Sequence, residues 1–172
     1  MGYNLKITDW QAAIGLAQMK KLPNFIDIRK KNFERMFDGF KSLEKYFILP
    51  EKSDKSEPSW FGFPITIKDD SPFNKLELVK YLEDNNIGTR QLFSGNILRQ
   101  PLFLDNKIPM RIHNGKMIYS SELTESHYKE LPMTDKIMEN TFWIGIWPGI
   151  DNNDIEYVIH TIKEFLINRS EL

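Results

Sequence analysis

The chain contains no cysteine. That excludes disulfides, cysteine-held zinc and any iron–sulfur cluster ligated by this chain itself, and it agrees with a cytoplasmic setting, which we expect. No apolar run approaches the roughly 20 residues that span a bilayer, and no positively charged start leads into an apolar core. A soluble protein with no membrane partner is expected. Charge of one sign is also lacking: the formal net charge is −1, with Lys and Arg spread along the sequence. A nucleic-acid partner is therefore not expected, while a local anion site remains compatible. His113, His127 and His160 form no metal-spaced pair, so no metal site is expected. There is no G-x-G-x-x-G, no Walker loop, no H-E-x-x-H and no support for a Ser/His/Asp or Cys/His nucleophile.

What is present is ordinary globular material. The 172 residues are 41% hydrophobic and 27% charged, enough for one domain with a real core. Thr8 and Gln11 match a capping box and predict a helix over 9–21. Gly15 inside it costs about 1 kcal/mol against Ala and points to a closely approaching backbone. Pro23 predicts a break or sharp kink. A second helix follows over 24–43, with Phe25, Ile28, Phe33, Met36, Phe37 and Phe40 at helical spacing.

Residues 59–67 (SWFGFPITI) read as a strand, in which Pro64 argues for an edge position or a bulge. A helix is expected from Ser71-Pro72 to Asn86 and a short strand over 88–93. Residues 102–131 show no period and are expected to form a long loop. A strand over 141–147 precedes a last helix capped by Asp151 or Asn152, with Ile155, Val158, Ile159, Ile162, Phe165 and Leu166 on one stripe. The expected fold class is α+β, about three strands with helices packed on one face.

Two stretches carry candidate chemistry. Tyr3-Asn4-Leu5-Lys6 places an amide and a cation ahead of the first helix, a pair that suits an anion such as phosphate and serves equally as turn formers. Gly88-Thr89-Arg90-Gln91 and Ser94-Gly95-Asn96-Ile97-Leu98-Arg99-Gln100-Pro101 set two arginines and several amides on a glycine-containing loop. Such a loop can rim a polar ligand. The paired carboxylates Asp69-Asp70 and Glu83-Asp84 read as solvated charge, and Trp60, Phe61, Trp143 and Trp147 as core.

These residues carry a resemblance. GYNLKITDWQAAIGLAQMKKL resembles the GYN-x-K-x-T-D-x-Q-A-A-x-G-L-A-Q segment of the DegT/DnrJ/StrS family of sugar-nucleotide enzymes, pyridoxal-phosphate proteins of the aspartate-aminotransferase fold. SWFGFPITIK, IGTRQLFSGNILRQP and TDKIMENTFWIGIWPGI are similar, in that order, to the nucleotide-sugar 3-dehydratases of deoxysugar biosynthesis, the RfbH lipopolysaccharide group. The resemblance spans nearly the whole chain. It implies a C-terminal small domain over 1–172, with connecting helices in 1–45 and the sheet portion in 59–168.

A large domain outside this chain would then hold pyridoxal or pyridoxamine 5'-phosphate, a catalytic histidine in place of the Schiff-base lysine, and the cysteines of a [2Fe-2S] centre. The implied reaction is loss of the 3-hydroxyl from a CDP-linked 4-keto-6-deoxyhexose in a homodimeric enzyme served by a reductase partner. No catalytic residue falls on this chain, and the isolated chain is expected to be inactive. Asn4 matches the family asparagine that reaches the cofactor phosphate of the other subunit. Lys6 and Arg90 become candidates for the substrate's phosphates, Asn96, Arg99 and Gln100 for the sugar-nucleotide pocket, and Tyr3 for its edge. The stretch between Pro101 and Thr134 is longer than the family's usual loop. A small domain of a sugar aminotransferase, and a stand-alone binding module derived from such an enzyme, are the alternatives.

Overall fold

The structure, a computed structural model, describes residues 5–104, 109–111, 117–119, 129 and 131–170. In chain order it comprises α1 (Asp9–Phe40), a 3-10 turn (Lys41–Leu43), β1 (Phe47–Ile48), β2 (Gly62–Ile67), α2 (Lys75–Asp84), β3 (Thr89–Gln91) and a second 3-10 turn (Ile97–Arg99). These are followed by α3 (Pro101–Leu104), β4 (Pro109–Arg111), β5 (Met117–Tyr119), α4 (Pro132–Asn140), β6 (Thr141–Gly145) and α5 (Asn152–Ser170). The α+β class stands, with four strands in the main sheet where about three were expected. A four-stranded antiparallel sheet has the order β1-β2-β6-β3, and β4 and β5 form a separate pair.

Alternation along the strands sets the core. Phe63, Ile65 and Ile67 of β2, with Phe142 and Ile144 of β6 and the following Ile146, are buried on one face. Met36 and Phe40 of α1, Leu78 and Leu82 of α2, and Ile155 and Ile162 of α5 complete that core. Phe40 is fully buried, its ring centroid 5.2 Å from Phe63 and 5.8 Å from Phe47. Asn32, also buried, donates its amide to the carbonyls of Trp147 and Ile150 at 3.3 Å each, pinning the turn between β6 and α5 onto α1.

Several boundaries depart from the sequence reading, each for a local reason. The Thr8/Gln11 capping box forms as expected, but α1 runs unbroken through Pro23 for 32 residues. A proline removes one backbone donor and crowds one turn; the good helix formers on both sides, Met19 to Leu22 before it and Arg29 to Lys31 after it, keep the rest of the ladder. α2 starts at Lys75 rather than Ser71. Asn74 accepts from the Glu77 N–H at 3.1 Å while the Glu77 carboxylate accepts from the Asn74 N–H at 2.9 Å, so the cap falls three residues later. The stretch expected to be loop begins in α3 and contains the β4–β5 pair, in register Pro109↔Tyr119 to Arg111↔Met117; residues 105–108, 112–116, 120–128 and 130 lie outside those described.

Pro64 sits where its missing N–H does least harm. Ile146 N–H donates to Phe61 O at 3.3 Å, which makes 61, 63 and 65 the hydrogen-bonded positions against β6 and leaves Pro64 opposite Trp143 in a non-bonded pair. Its nitrogen therefore points toward β1, and β1 reaches only to Thr66. The strand is interior by order and an edge at that residue, as its proline requires.

Residues 5–24 are all exposed, Trp10, Ile14 and Met19 among them at 83%, 63% and 63%. Close packing within this chain occurs at Gly39 instead of Gly15. A Cβ at Gly39 would lie 2.2 Å from Ile159 Cδ1, whereas one at Gly15 meets nothing within 4 Å. Ile159 is β-branched, helical and buried, so it has little room to turn. Gly39→Ala is therefore expected to destabilise the chain by about 1–2 kcal/mol despite the helix-propensity gain, while Gly15→Ala stabilises it by about 0.5–1 kcal/mol. Urea midpoints of the two variants measure both.

Candidate functional site

The candidate residues divide sharply by environment. Asn4 and Tyr3 lie outside the described residues, as do His113 and His127. Lys6 is exposed on the lead-in to α1, and among the described residues its side chain has no partner. Arg90 stands on β3 opposite Trp143, on the sheet face away from the core. There it lines an open cavity of ≈ 500 Å³ with Glu83, Gly88, Thr89, Trp143 and Gly145. Thr89 ties one wall by donating to Glu83 Oε1 at 2.7 Å. Arg90 is exposed and, among the described residues, unpaired.

The loop after β3 behaves differently. Its backbone enters the left-handed region twice, at Phe93 (φ 46°) and Gly95 (φ 64°). Gly95 is required there on two counts: the φ itself, and a Cβ that would lie 2.3 Å from Met138 Cγ of α4. The next residue, Asn96, is fully buried. Its Oδ1 caps the 3-10 turn by accepting from Leu98 N–H at 3.1 Å, and its Nδ2 donates to Asp135 Oδ1 at 2.8 Å.

Arg99 closes on the same carboxylate in a two-pronged pair, Nε to Oδ1 at 2.8 Å and Nη2 to Oδ2 at 2.6 Å. Gln100 donates to the Ser94 carbonyl at 2.7 Å. Thus Asn96, Arg99 and Gln100, expected from the sequence to line a pocket, come together as the internal frame of the loop. Lys75 completes it from the other side, donating to Gln91 Oε1 at 2.8 Å and to the Met138 carbonyl at 2.5 Å.

Electrostatics follow this arrangement. The Arg99 hydrogen bonds hold the Asp135 carboxyl below the usual carboxylate range; burial opposes them, and the hydrogen bond from Asn96 adds to the lowering. Burial pulls the Lys75 ammonium down, and Glu139 partly opposes it. Sequence reasoning did not single out Asp135, Lys75 or Met138. The signal available was the segment TDKIMEN, whose acidic residue faces an arginine far along the chain. Among the described residues no group of three or more His, Asp or Glu side chains could hold a metal. His160 pairs at 3.2 Å with Glu164 on the surface of α5. The arrangement can bind an anion at Arg90.

The architecture defines the class first. The fold is that of pyridoxal-phosphate-dependent sugar dehydratases and aminotransferases. It superposes on the E. coli GDP-4-keto-6-deoxy-D-mannose-3-dehydratase with bound hydrated PLP at a TM-score of 0.72 and 28% identity, covering 93% of this chain and 36% of that one. The chain belongs to the DegT/DnrJ/EryC1/StrS aminotransferase family, whose model matches residues 1–163.

Two relatives sharpen this. The lipopolysaccharide biosynthesis protein RfbH of Salmonella typhimurium is 47% identical over 96% of this chain and 34% of its own length. The dTDP-4-dehydro-2,6-dideoxy-D-glucose 3-dehydratase of Saccharopolyspora spinosa is 41% identical over 99% of this chain and 33% of its own. The chain spans about a third of the length of these curated relatives.

Gly95→Ala is expected to cost about 2 kcal/mol, since it adds both a left-handed penalty and a clash, and a denaturant titration reads it. Because the folded-state pKa of Asp135 is depressed, its contribution to stability is complete above about pH 4 and lost as pH falls through the folded value. Asp135→Asn is accordingly expected to show a smaller drop in melting temperature than the parent chain on acidification below pH ~4.

Proposed function

We propose that this chain is the C-terminal small-domain portion of a pyridoxamine-phosphate- and iron–sulfur-dependent nucleotide-sugar 3-dehydratase serving 3,6-dideoxyhexose and lipopolysaccharide O-antigen synthesis. The observation that carries the reading is the 47% and 41% identity, over nearly the whole chain, to RfbH and to a sugar 3-dehydratase. Within that reading, residues 1–45 connect to a large domain and residues 59–168 form the sheet portion. The cluster belongs outside this chain, which has no cysteine. The exposed apolar positions Trp10, Ile14 and Met19 of α1 support burial against the remainder of a cytoplasmic homodimer. A CDP-sugar is the proposed substrate and a reductase the proposed electron donor.

Pyridoxamine phosphate, when bound, supplies the electron sink for loss of the sugar's 3-hydroxyl. Among the described residues no side chains form a cradle for its ring or phosphate, and no chemical step is assigned to them. Asn4 is the residue proposed to meet that phosphate across the dimer. Lys6 and Arg90, both exposed cations, are proposed for the substrate's diphosphate, with Asn96, Arg99 and Gln100 in the wall of the nucleotide-sugar pocket. The family's description as aminotransferases sustains one second reading, a pyridoxal-phosphate-dependent sugar aminotransferase. A lysine rather than a histidine at the cofactor position of the full-length protein would select it.

After incubation with pyridoxal or pyridoxamine phosphate and desalting, the isolated chain is expected to retain no cofactor absorbance and to turn over no sugar nucleotide. A stoichiometric bound chromophore overturns the fragment reading. In the full-length protein, Asn4→Ala is expected to weaken cofactor retention about tenfold, the loss of one hydrogen bond to a charged group, as read by absorbance after dialysis. Unchanged retention removes that role from Asn4.

A further inference from the structure

The loop between β3 and α3 is held in a conformation it would not choose. Phe93, a bulky residue, has a φ of 46°, which costs free energy and persists only where the surroundings over-determine it. Its own side chain is 77% exposed and so does not supply the restraint. The restraint comes from α4. Asp135, whose side chain is only 14% exposed, takes hydrogen bonds from both Asn96 and Arg99, and Met138 Sδ accepts from the Asn96 N–H at 3.3 Å. On the strand side of the same loop, Lys75 joins Gln91 to the Met138 carbonyl. Arg90 precedes Gln91 directly, and it is a cation left open to a ligand.

We propose that Asp135 is a positioning residue for the sugar-nucleotide rim. Through Asn96 and Arg99 it sets the backbone of residues 92–100 and, with Lys75 at Gln91, the placement from which β3 presents Arg90. This rests on the reading of that rim as the substrate-binding edge. A two-pronged arginine–carboxylate pair suits the task, since it fixes direction as well as distance. A carboxylate that merely steadied α4 would need neither the buried Asn96 nor the two-pronged bond from Arg99.

The test uses the full-length holoenzyme, titrated calorimetrically with CDP, GDP and dTDP in turn. The parent protein is expected to bind at least one of the three. Asp135→Asn is expected to weaken that binding about tenfold with bound cofactor per subunit unchanged. Arg99→Lys, which keeps the charge and loses the fork, is expected to weaken it in the same direction and serves if Asp135→Asn fails to fold. The exchange variant, Asn96→Asp with Asp135→Asn, returns a carboxylate to Arg99 and a donor to its partner, and is expected to recover affinity to within about threefold of the parent.

Unchanged affinity in Asp135→Asn, or an exchange variant that regains melting temperature without affinity, overturns the positioning role. Arg90→Ala separates this from the rim reading. If it weakens binding while Asp135→Asn does not, the positioning role alone falls. If Arg90→Ala binds like the parent, or no nucleotide binds the parent, the rim reading falls and this inference with it.

Discussion

Burial of Phe40 ties the long helix to everything else. Its ring lies against Phe47 of β1 and Phe63 of β2, and one residue earlier Gly39 lets Ile159 of α5 come into contact. Strand, helix and returning helix therefore meet within about one turn of α1. Because α1 is some 48 Å long by its residue count, and residues 5–24 are all exposed, only its C-terminal half is anchored. The rest of α1 projects Trp10, Ile14 and Met19 from a core that does not need them. That division between a packed end and a bare end matches a chain spanning about a third of its relatives' length.

The sheet then distributes its two faces unequally. One face is closed by α1, α2 and α5, and its strands need only alternate apolar residues to fill it. The other carries Pro64, Trp143 and Arg90 in neighbouring register, with Phe61 packed edge-on against Trp143 at 5.0 Å. Gly62 is obligatory beneath that indole, since a Cβ would lie 2.4 Å from the ring. The aromatic floor and the open guanidinium are thus made by pairing across strands distant in sequence. At the C-terminal edge of the same region, charge is spent on structure: Lys75 and Arg99 are both committed to partners on α4, while Arg90 is not committed among the described residues.

Legibility in the sequence followed the range of the interactions. The Thr8/Gln11 box, the stripe of α5 and the strands around Phe63 and Phe142 arise from contacts a few residues apart or from simple period, and these were visible. Pro23 was misleading because one lost hydrogen bond is small against a long, otherwise favourable helix. α4 was hidden because it is short, lacks a side-chain cap and keeps Met133 and Ile137 partly exposed. The β4–β5 pair escaped for a related reason: three-residue strands carry too little alternation to register.

The candidate site shows the same division at the level of single residues. From sequence alone, Asn96, Arg99 and Gln100 are polar groups on a glycine-containing loop, and the motif resemblance is enough to place them near a ligand and to name the family. Which of them face inward was settled by Asp135, nearly 40 positions away, and by Met138 beneath Gly95. A side chain's partner depends on what the fold brings within about 3 Å, and no local pattern encodes that distance. The sequence by itself determined the class, the family and the segments that carry it. Only the tertiary structure decided which cation is framework and which stands open, because a buried donor must find its acceptor wherever the chain returns.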